Sequence, residues 1–292
     1  MKNGKGHNKQ EAGHWIDLER MNEQFEIPFA KSKADVWAEM EAKIEATQEA
    51  KNINLASRPV FRLAMAASLI ILLGLAGLMR FYSVTLETLP GQHLTVDLPD
   101  GSVVQLNAAS SLGYYPYWWR FSRQLSFEGE AFFDVEKGSR FTVSSVKGIT
   151  SVLGTSFNIY SRNENYRVSC LTGKVRVADL ANSQEVILMP NEMTELTARG
   201  EFDVRRNVNL KTTTAWINNE FVFTSAPLND VLEEIERQYD VTIAGKEAFQ
   251  NNYTGNFTRE QSIEQVLAFV CKPFSIKFEK INTNEFKLSK NN

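Results

Sequence analysis

Histidine and cysteine are scarce in this 292-residue chain, and the scarcity narrows its chemistry at once. The histidines are His7, His14 and His93, and the cysteines are Cys170 and Cys271. No histidine follows His93, so a Ser-His-Asp or Cys-His centre beyond that point would have to recruit His93 itself. The two cysteines lie far apart, make no CxxC, and cannot by themselves close a zinc site. GxSxG, HExxH and phosphate-cradling glycine loops are missing too. Net charge is only −3 at pH 7, which argues against direct nucleic-acid binding by bulk electrostatics. Catalysis, a metal site and a cofactor are therefore not expected. What remains is an ordinary folded composition, long enough for two modest domains.

One stretch lacks both charge and proline: LAMAASLIILLGLAGLM, residues 63–79. About 17 residues at 1.5 Å each give roughly 26 Å, which crosses a hydrocarbon core once the flanks snorkel. Arg62 and Arg80 bracket it, and Phe61, Phe81 and Tyr82 stand where interfacial aromatics belong. A single transmembrane helix is expected over 61–82. A buried core helix rarely stays apolar all round for this length. A signal peptide would begin near Met1, some sixty residues earlier, so the segment reads as an uncleaved anchor. Lys51, Arg58 and Arg62 precede it, against Arg80 alone close by on the other side. That bias points the N-terminus into the cytoplasm and residues 83–292 into the periplasm of a Gram-negative cell, with the helix in the inner membrane.

Residues 1–58 then form a short, partly helical cytoplasmic arm whose first dozen residues are polar and expected to be disordered. In HWIDLERMNEQF, residues Trp15, Leu18, Met21 and Phe25 recur near helical spacing until Pro28 breaks the run. Ser32 and Asp35 resemble a capping box opening a second helix, with Val36, Trp37, Met40 and Ile44 on one side. Helices this short cannot bury such stripes alone. They pack on each other, lie on the bilayer, or dock a cytoplasmic partner through Trp15, Leu18, Met21, Phe25, Trp37 and Met40, and the partner reading is slightly favoured.

From about residue 88 to 210 the period changes to two. Leu94, Val96 and Leu98 alternate, then Val104 and Leu106, across a Pro99-Asp100-Gly101 turn. In RQLSFEGEAFFDVEKG, Leu125, Phe127, Ala131, Phe133 and Val135 read as inward and Ser126, Glu128, Glu130 and Asp134 as outward. YRVSCLTGKVRV alternates again, with Gly173 at a turn and Cys170 inward. The expected fold is an all-β sandwich or short β-roll. Residues 214–292 change again: strand 221–223, helix 227–239, strand 241–245, strand 253–257, helix 262–271 and strands 274–280 and 285–289. Ser225 with Pro227, and Ser262, are the expected helix starts. Two small β-α-β units make an α+β domain with helices over a sheet. The whole reads as a membrane-anchored multidomain protein: a short α arm, one transmembrane helix, an all-β domain and a small α+β domain.

LPDGSVVQLNAASSLGYYP (98–116), FEGEAFFDVEKG (127–138), VLGTSFNIY (152–160) and LTGKVRV (171–177) resemble the signature blocks of the FecR family, in its order and spacing. Arg140 stands where that family often has proline, and Asn191 where it usually has glycine. Trp216, Phe221-Val222-Phe223, Pro227-Leu228, Val231, Tyr239-Asp240-Val241 and Thr254-Gly255-Asn256-Phe257 are similar to the C-terminal domain of FecR proteins of the Bacteroidota type. That domain is itself similar to the short N-terminal domain of secretins and TonB receptors. The resemblance implies a transmembrane anti-sigma regulator. Its periplasmic part would answer an outer-membrane TonB-dependent transporter, and its arm an extracytoplasmic-function sigma factor. Receptor contact is expected on the C-terminal domain's strands, by strand addition or face packing, with Phe221, Phe223, Tyr253 and Phe257 as candidates if they are exposed. A single helix has few ways to carry information, so regulated proteolysis or altered association is favoured over an internal relay.

Three features compete with that reading. The arm is shorter than many in the family, which leaves open an adaptor that binds the transporter without sigma control. Glu128, Glu130, Asp134 and Glu136 are clustered carboxylates, read as a solvated strand face in preference to a glycosidase pair. Tyr114, Tyr115, Tyr117, Trp118 and Trp119 could line a ligand sensor's site, or form an apolar edge against a neighbouring domain or the membrane, and the edge is favoured.

Overall fold

Ser32 opens the first helix in the computed structural model, which describes residues 31–48, 59–180 and 184–290. The chain divides into two units, 1–69 and 70–292, within its long apolar helix. In the first unit α1 spans Lys33–Gln48. The Ser32 hydroxyl accepts from the Asp35 amide at 3.2 Å, and the Ser32 amide donates to the Asp35 carboxylate, also at 3.2 Å. This is the expected capping box, with Asp in place of a longer acid.

Helix α2 spans Pro59–Phe81, with proline at its first position, where the missing N–H costs nothing. Its 23 residues reach about 35 Å along the axis. None is buried, so α2 is not the core helix of a globular domain. Among the described residues it is the one helix long and apolar enough to cross a membrane.

Thirteen strands follow: β1 (Val84–Thr88), β2 (Leu94–Asp97), β3 (Val103–Leu106), β4 (Ser110–Tyr114), β5 (Arg123–Asp134), β6 (Phe141–Ser144), β7 (Gly148–Val152), β8 (Ser156–Arg162), β9 (Asn165–Cys170), β10 (Val175–Asp179), β11 (Glu185–Leu188), β12 (Glu192–Leu196) and β13 (Phe202–Arg205). The first of them lies ahead of the expected start at 88. Strand β5 organises the rest. Its first half pairs with β4 and, in parallel, with β6. Its second half pairs with β3 and β8. The hand-over falls at Gly129, whose φ of +112° suits a glycine. A Cβ there would stand 2.6 Å from the Ser110 Cα, so backbone approach also demands the missing side chain.

Two sheets therefore share one strand, and their inward residues form one apolar core. Leu125, Phe127, Ala131, Phe133 and Val135 all point into it, as the alternation predicts. Phe133 stacks on Phe157 at 4.9 Å and meets Phe141 edge-on at 6.5 Å. The Tyr166 hydroxyl on β9 and the Thr150 hydroxyl on β7 meet at 2.7 Å across the core, and burial raises the tyrosine's pKa despite that bond. Gly173 does mark a turn, but β9 and β10 do not pair with each other. The turn carries the chain from one sheet to the other. Asn191, standing where glycine is usual, has φ +65°, a conformation asparagine tolerates better than most residues.

The C-terminal domain contains β14 (Glu220–Pro227), α3 (Leu228–Tyr239), β15 (Thr242–Ala244), β16 (Asn252–Thr258), α4 (Ile263–Cys271), β17 (Ile276–Asn282) and β18 (Glu285–Lys290). The two β-α-β units are present, but their strands form two small sheets: β14 with β16, and β15-β18-β17. A break in register between Phe223 and Ala226 explains one correction. Ser225 sits in that bulge at φ +50° and its amide donates to the Thr254 hydroxyl at 2.8 Å, so it does not cap α3. Ser262 does cap α4, with a full capping box to Gln265. Cys170 and Cys271 are free, buried thiols in separate cores, and burial pushes each up to about 11.

Candidate partner-binding surfaces

A 3.6-residue period places Val36, Trp37, Met40 and Ile44 within about 100° of arc on α1. All four side chains are exposed, Trp37 by 59%. These four apolar side chains share one side of an otherwise charged helix and are left exposed. Trp15, Leu18, Met21 and Phe25, the other arm candidates, lie outside the described residues.

The receptor candidates are placed differently from the expectation. Phe221, Tyr253 and Phe257 are buried in the C-terminal core, and Phe223 is half-buried against it. Phe221 and Phe223 stack on Phe257 at 5.0 and 5.7 Å, and Phe223 meets Tyr253 edge-on. These rings hold α3 and α4 to the strands and are not a free face. What the domain leaves open is backbone. Among the described residues strand β14 pairs only with β16, and β17 only with β18, so each presents an unpaired edge. The free side of β14 borders a cleft of about 530 Å³ whose other wall includes Arg167, Met193 and Glu195 of the β domain.

The two domains of the second unit meet through a buried polar cluster. The carboxylate of Glu130 accepts from Asn107 at 2.8 Å and from Asn158 at 3.1 Å. Gln238 on α3 donates to Asn107 at 2.8 Å and to Glu234 at 2.7 Å, while its carbonyl lies 3.0 Å from His93 Nε2. Glu234 also takes two bonds from Arg237, at 3.0 and 2.8 Å. The Trp216 indole meets the His93 ring edge-on at 5.7 Å. Gly91 donates its amide to the Arg237 carbonyl at 2.7 Å and accepts from the Arg259 guanidinium.

Charge is unevenly shared in this cluster. Burial, and then the charge of Glu234, raise the Glu130 pKa. Burial would raise Glu234 likewise, but Arg237 and Arg162 outweigh it and hold that carboxyl low. For His93, burial outweighs the bond to Gln238 and lowers the pKa, keeping the ring neutral. The expected solvated strand face is corrected here at one position. Glu130 does point away from the β core, but α3 covers it, and period two cannot see what lies beyond the strand. The readable signal was Gln238, a polar residue seven positions after Val231 on the apolar stripe of α3.

The aromatic run also divides. Trp119 is buried between Tyr114 and Phe141, with ring centroids at 5.6 and 5.7 Å, whereas Tyr115 and Tyr117 are exposed. Among the described residues no group of three or more His, Cys, Asp or Glu side chains gathers in a way that could hold a metal ion.

The architecture is a shared-strand β domain joined by a polar junction to a small α+β domain, behind one helix long and apolar enough to cross a membrane. Two family models match the chain: FecR protein over residues 84–176, and FecR, C-terminal over 220–288. Together they span more than half of it, and the chain belongs to the FecR family of anti-sigma regulators. Two crystal structures of a proposed anti-sigma factor from Parabacteroides distasonis ATCC 8503, at 1.65 and 2.50 Å resolution, are similar. Each is 29% identical, covers 72% of this chain and 100% of its own, and superposes with TM-scores of 0.64 and 0.65 respectively. No curated relative matches the chain.

Proposed function

We propose that this protein is a single-pass inner-membrane anti-sigma factor, with residues 1–58 in the cytoplasm and residues 83–292 in the periplasm. The arm binds an extracytoplasmic-function sigma factor, and the C-terminal domain receives the signal from an outer-membrane TonB-dependent transporter. Family membership supports the sigma partner. The observation that carries the arrangement is the uncovered stripe Val36, Trp37, Met40 and Ile44, on a helix just ahead of the apolar one. Lys51, Arg58 and Arg62 on the N-terminal side of α2 favour the cytoplasm for that stripe. No enzymatic step is required of the protein.

The burial of Phe221, Tyr253 and Phe257 moves the receptor contact from the aromatic face to the open edges of β14 and β17. A strand of the transporter's signalling domain would add there through main-chain hydrogen bonds. Truncation at Thr213 removes both edges and should abolish transporter binding. Unchanged binding would sink the assignment.

The primary test is capture of sigma factors from solubilised host membranes by the full chain. One specific sigma factor should co-purify, and a Trp37→Ala, Met40→Ala double variant should lose it. Capture of none by a folded chain would leave a periplasmic adaptor in place of a transcriptional regulator.

A further inference from the structure

The turn between β4 and β5 carries the largest exposed aromatic group of the β domain. Residues 115–122 wind through hydrogen bonds from Trp118 to the Tyr115 carbonyl at 3.1 Å and from Phe121 and Ser122 to the Trp118 carbonyl at 2.9 and 3.1 Å. Trp119 drives inward between Tyr114 and Phe141, which pins the turn to the sandwich. Tyr117 is 56% and Phe121 72% exposed, and the half-buried Trp118 lies 4.8 Å from Phe121. A soluble surface has no use for a Tyr-Tyr-Pro-Tyr-Trp-Trp-Arg-Phe sequence that buries only one ring fully.

The position of the turn explains it. The guanidinium of Arg80, in the last turn of α2, sits over the Trp118 ring at 5.2 Å and over the Tyr115 ring at 5.7 Å. Tyr82 meets Tyr117 at 5.3 Å. The loop therefore lies beside the residues where a spanning helix leaves the hydrocarbon, at the depth of headgroups and upper acyl chains. Tyrosine, tryptophan and arginine are the side chains suited to that layer, with apolar bodies and polar tips.

We infer that residues 115–121 form a lipid-docking loop that seats the β domain on the bilayer leaflet at the Phe81 end of α2. Phe121 and Tyr117 enter the interface, Arg80 and Arg120 meet lipid phosphates, and Trp119 transmits the attachment to the sandwich core. The β domain is then held at the membrane surface and is not a free body on a tether. A signal reaching it is delivered beside α2. The inference rests on α2 crossing a membrane.

The test is lipid-quenching of the full chain reconstituted in phosphatidylethanolamine–phosphatidylglycerol vesicles containing doxyl-labelled lipid. Both native thiols are buried, so a new surface cysteine takes an environment-sensitive fluorophore selectively. The label is placed at Phe121→Cys, at Leu72→Cys within α2, and at Phe269→Cys on α4. Labels at 72 and 121 should both lose most of their emission to doxyl lipid while the label at 269 stays bright. Quenching at 72 without quenching at 121 overturns the docking loop and leaves the membrane helix standing. No quenching at 72 overturns the membrane reading and the loop with it. A label at 121 shielded from aqueous iodide yet unquenched by lipid means that protein covers the loop, and also overturns the proposal.

Discussion

Gln238 on α3 and Asn107 in the turn between β3 and β4 are 131 positions apart, and the side-chain amide of the first donates to that of the second at 2.8 Å. The same glutamine serves Glu234 and His93, so one side chain ties helix, loop and buried charge together. Replacing it should loosen the junction without unfolding either core. Gln238→Ala is expected to cost about 2 kcal/mol, the usual penalty for leaving buried partners unpaired. Hydrogen exchange should accelerate in α3 and leave β5 and β8 protected. Uniform acceleration across both domains would contradict this.

Glu234 and Glu130 should respond differently to neutralisation. Glu234 is the ionised partner of Arg237 and also offsets Arg162, so Glu234→Gln leaves one buried and one half-buried guanidinium less compensated. A loss of about 3 kcal/mol is expected in chemical denaturation. Glu130 is the carboxyl whose charge burial and Glu234 oppose, so Glu130→Gln should cost clearly less at pH 7. Equal costs would show that the charges are not shared in this way.

His93 sets part of the pH response. Its pKa in the fold is lowered, by burial first and by Arg259 among the charges, with Gln238, Glu234 and Asn107 opposing. A histidine that resists protonation in the fold contributes stability fully present above its unfolded pKa of about 6.5. That contribution is lost as pH falls from there towards the lowered value. His93→Gln keeps a donor for Gln238 but cannot titrate. Acidification from pH 7.5 to about 5.5 should therefore cost the variant less stability than the parent, as read from thermal midpoints at matched ionic strength.

Gly129 should admit no side chain. Its positive φ and the Ser110 Cα, 2.6 Å from a built Cβ, oppose Gly129→Ala twice over. A loss of about 2 to 3 kcal/mol is expected, strain and clash combined. A variant as stable as the parent would mean that β5 can pass between the two sheets without this bend.

The alternation along β5 identifies Leu125, Phe127, Ala131 and Phe133 as inward because a pleated strand must send alternate side chains to opposite faces. Glu130 shows the boundary of that logic. It obeys the alternation and is buried nonetheless, because α3 packs on the second face. Ser225 shows another boundary: serine two residues before a helix looks like a cap, but strand pairing with β16 draws it into a bulge. Alternation leaves open whether the aromatic strands of the C-terminal domain face a partner or the core for a similar reason. A three-residue strand with phenylalanine at both ends does not say which face meets a helix.

The sequence by itself determined the order of elements in the C-terminal domain, the apolar length of α2, the inward face of β5 and the capping of α1 and α4. Each follows from residues within a few positions of one another, where backbone geometry is the only variable. Tertiary structure alone decided that β5 serves two sheets, that the outward face at Glu130 is roofed by α3, and that Phe221, Tyr253 and Phe257 are core. It also placed the aromatic turn at 115–121 beside the end of α2. Those outcomes depend on surfaces that meet from well apart in the chain, and a local period specifies which way a side chain points but not what it will meet there.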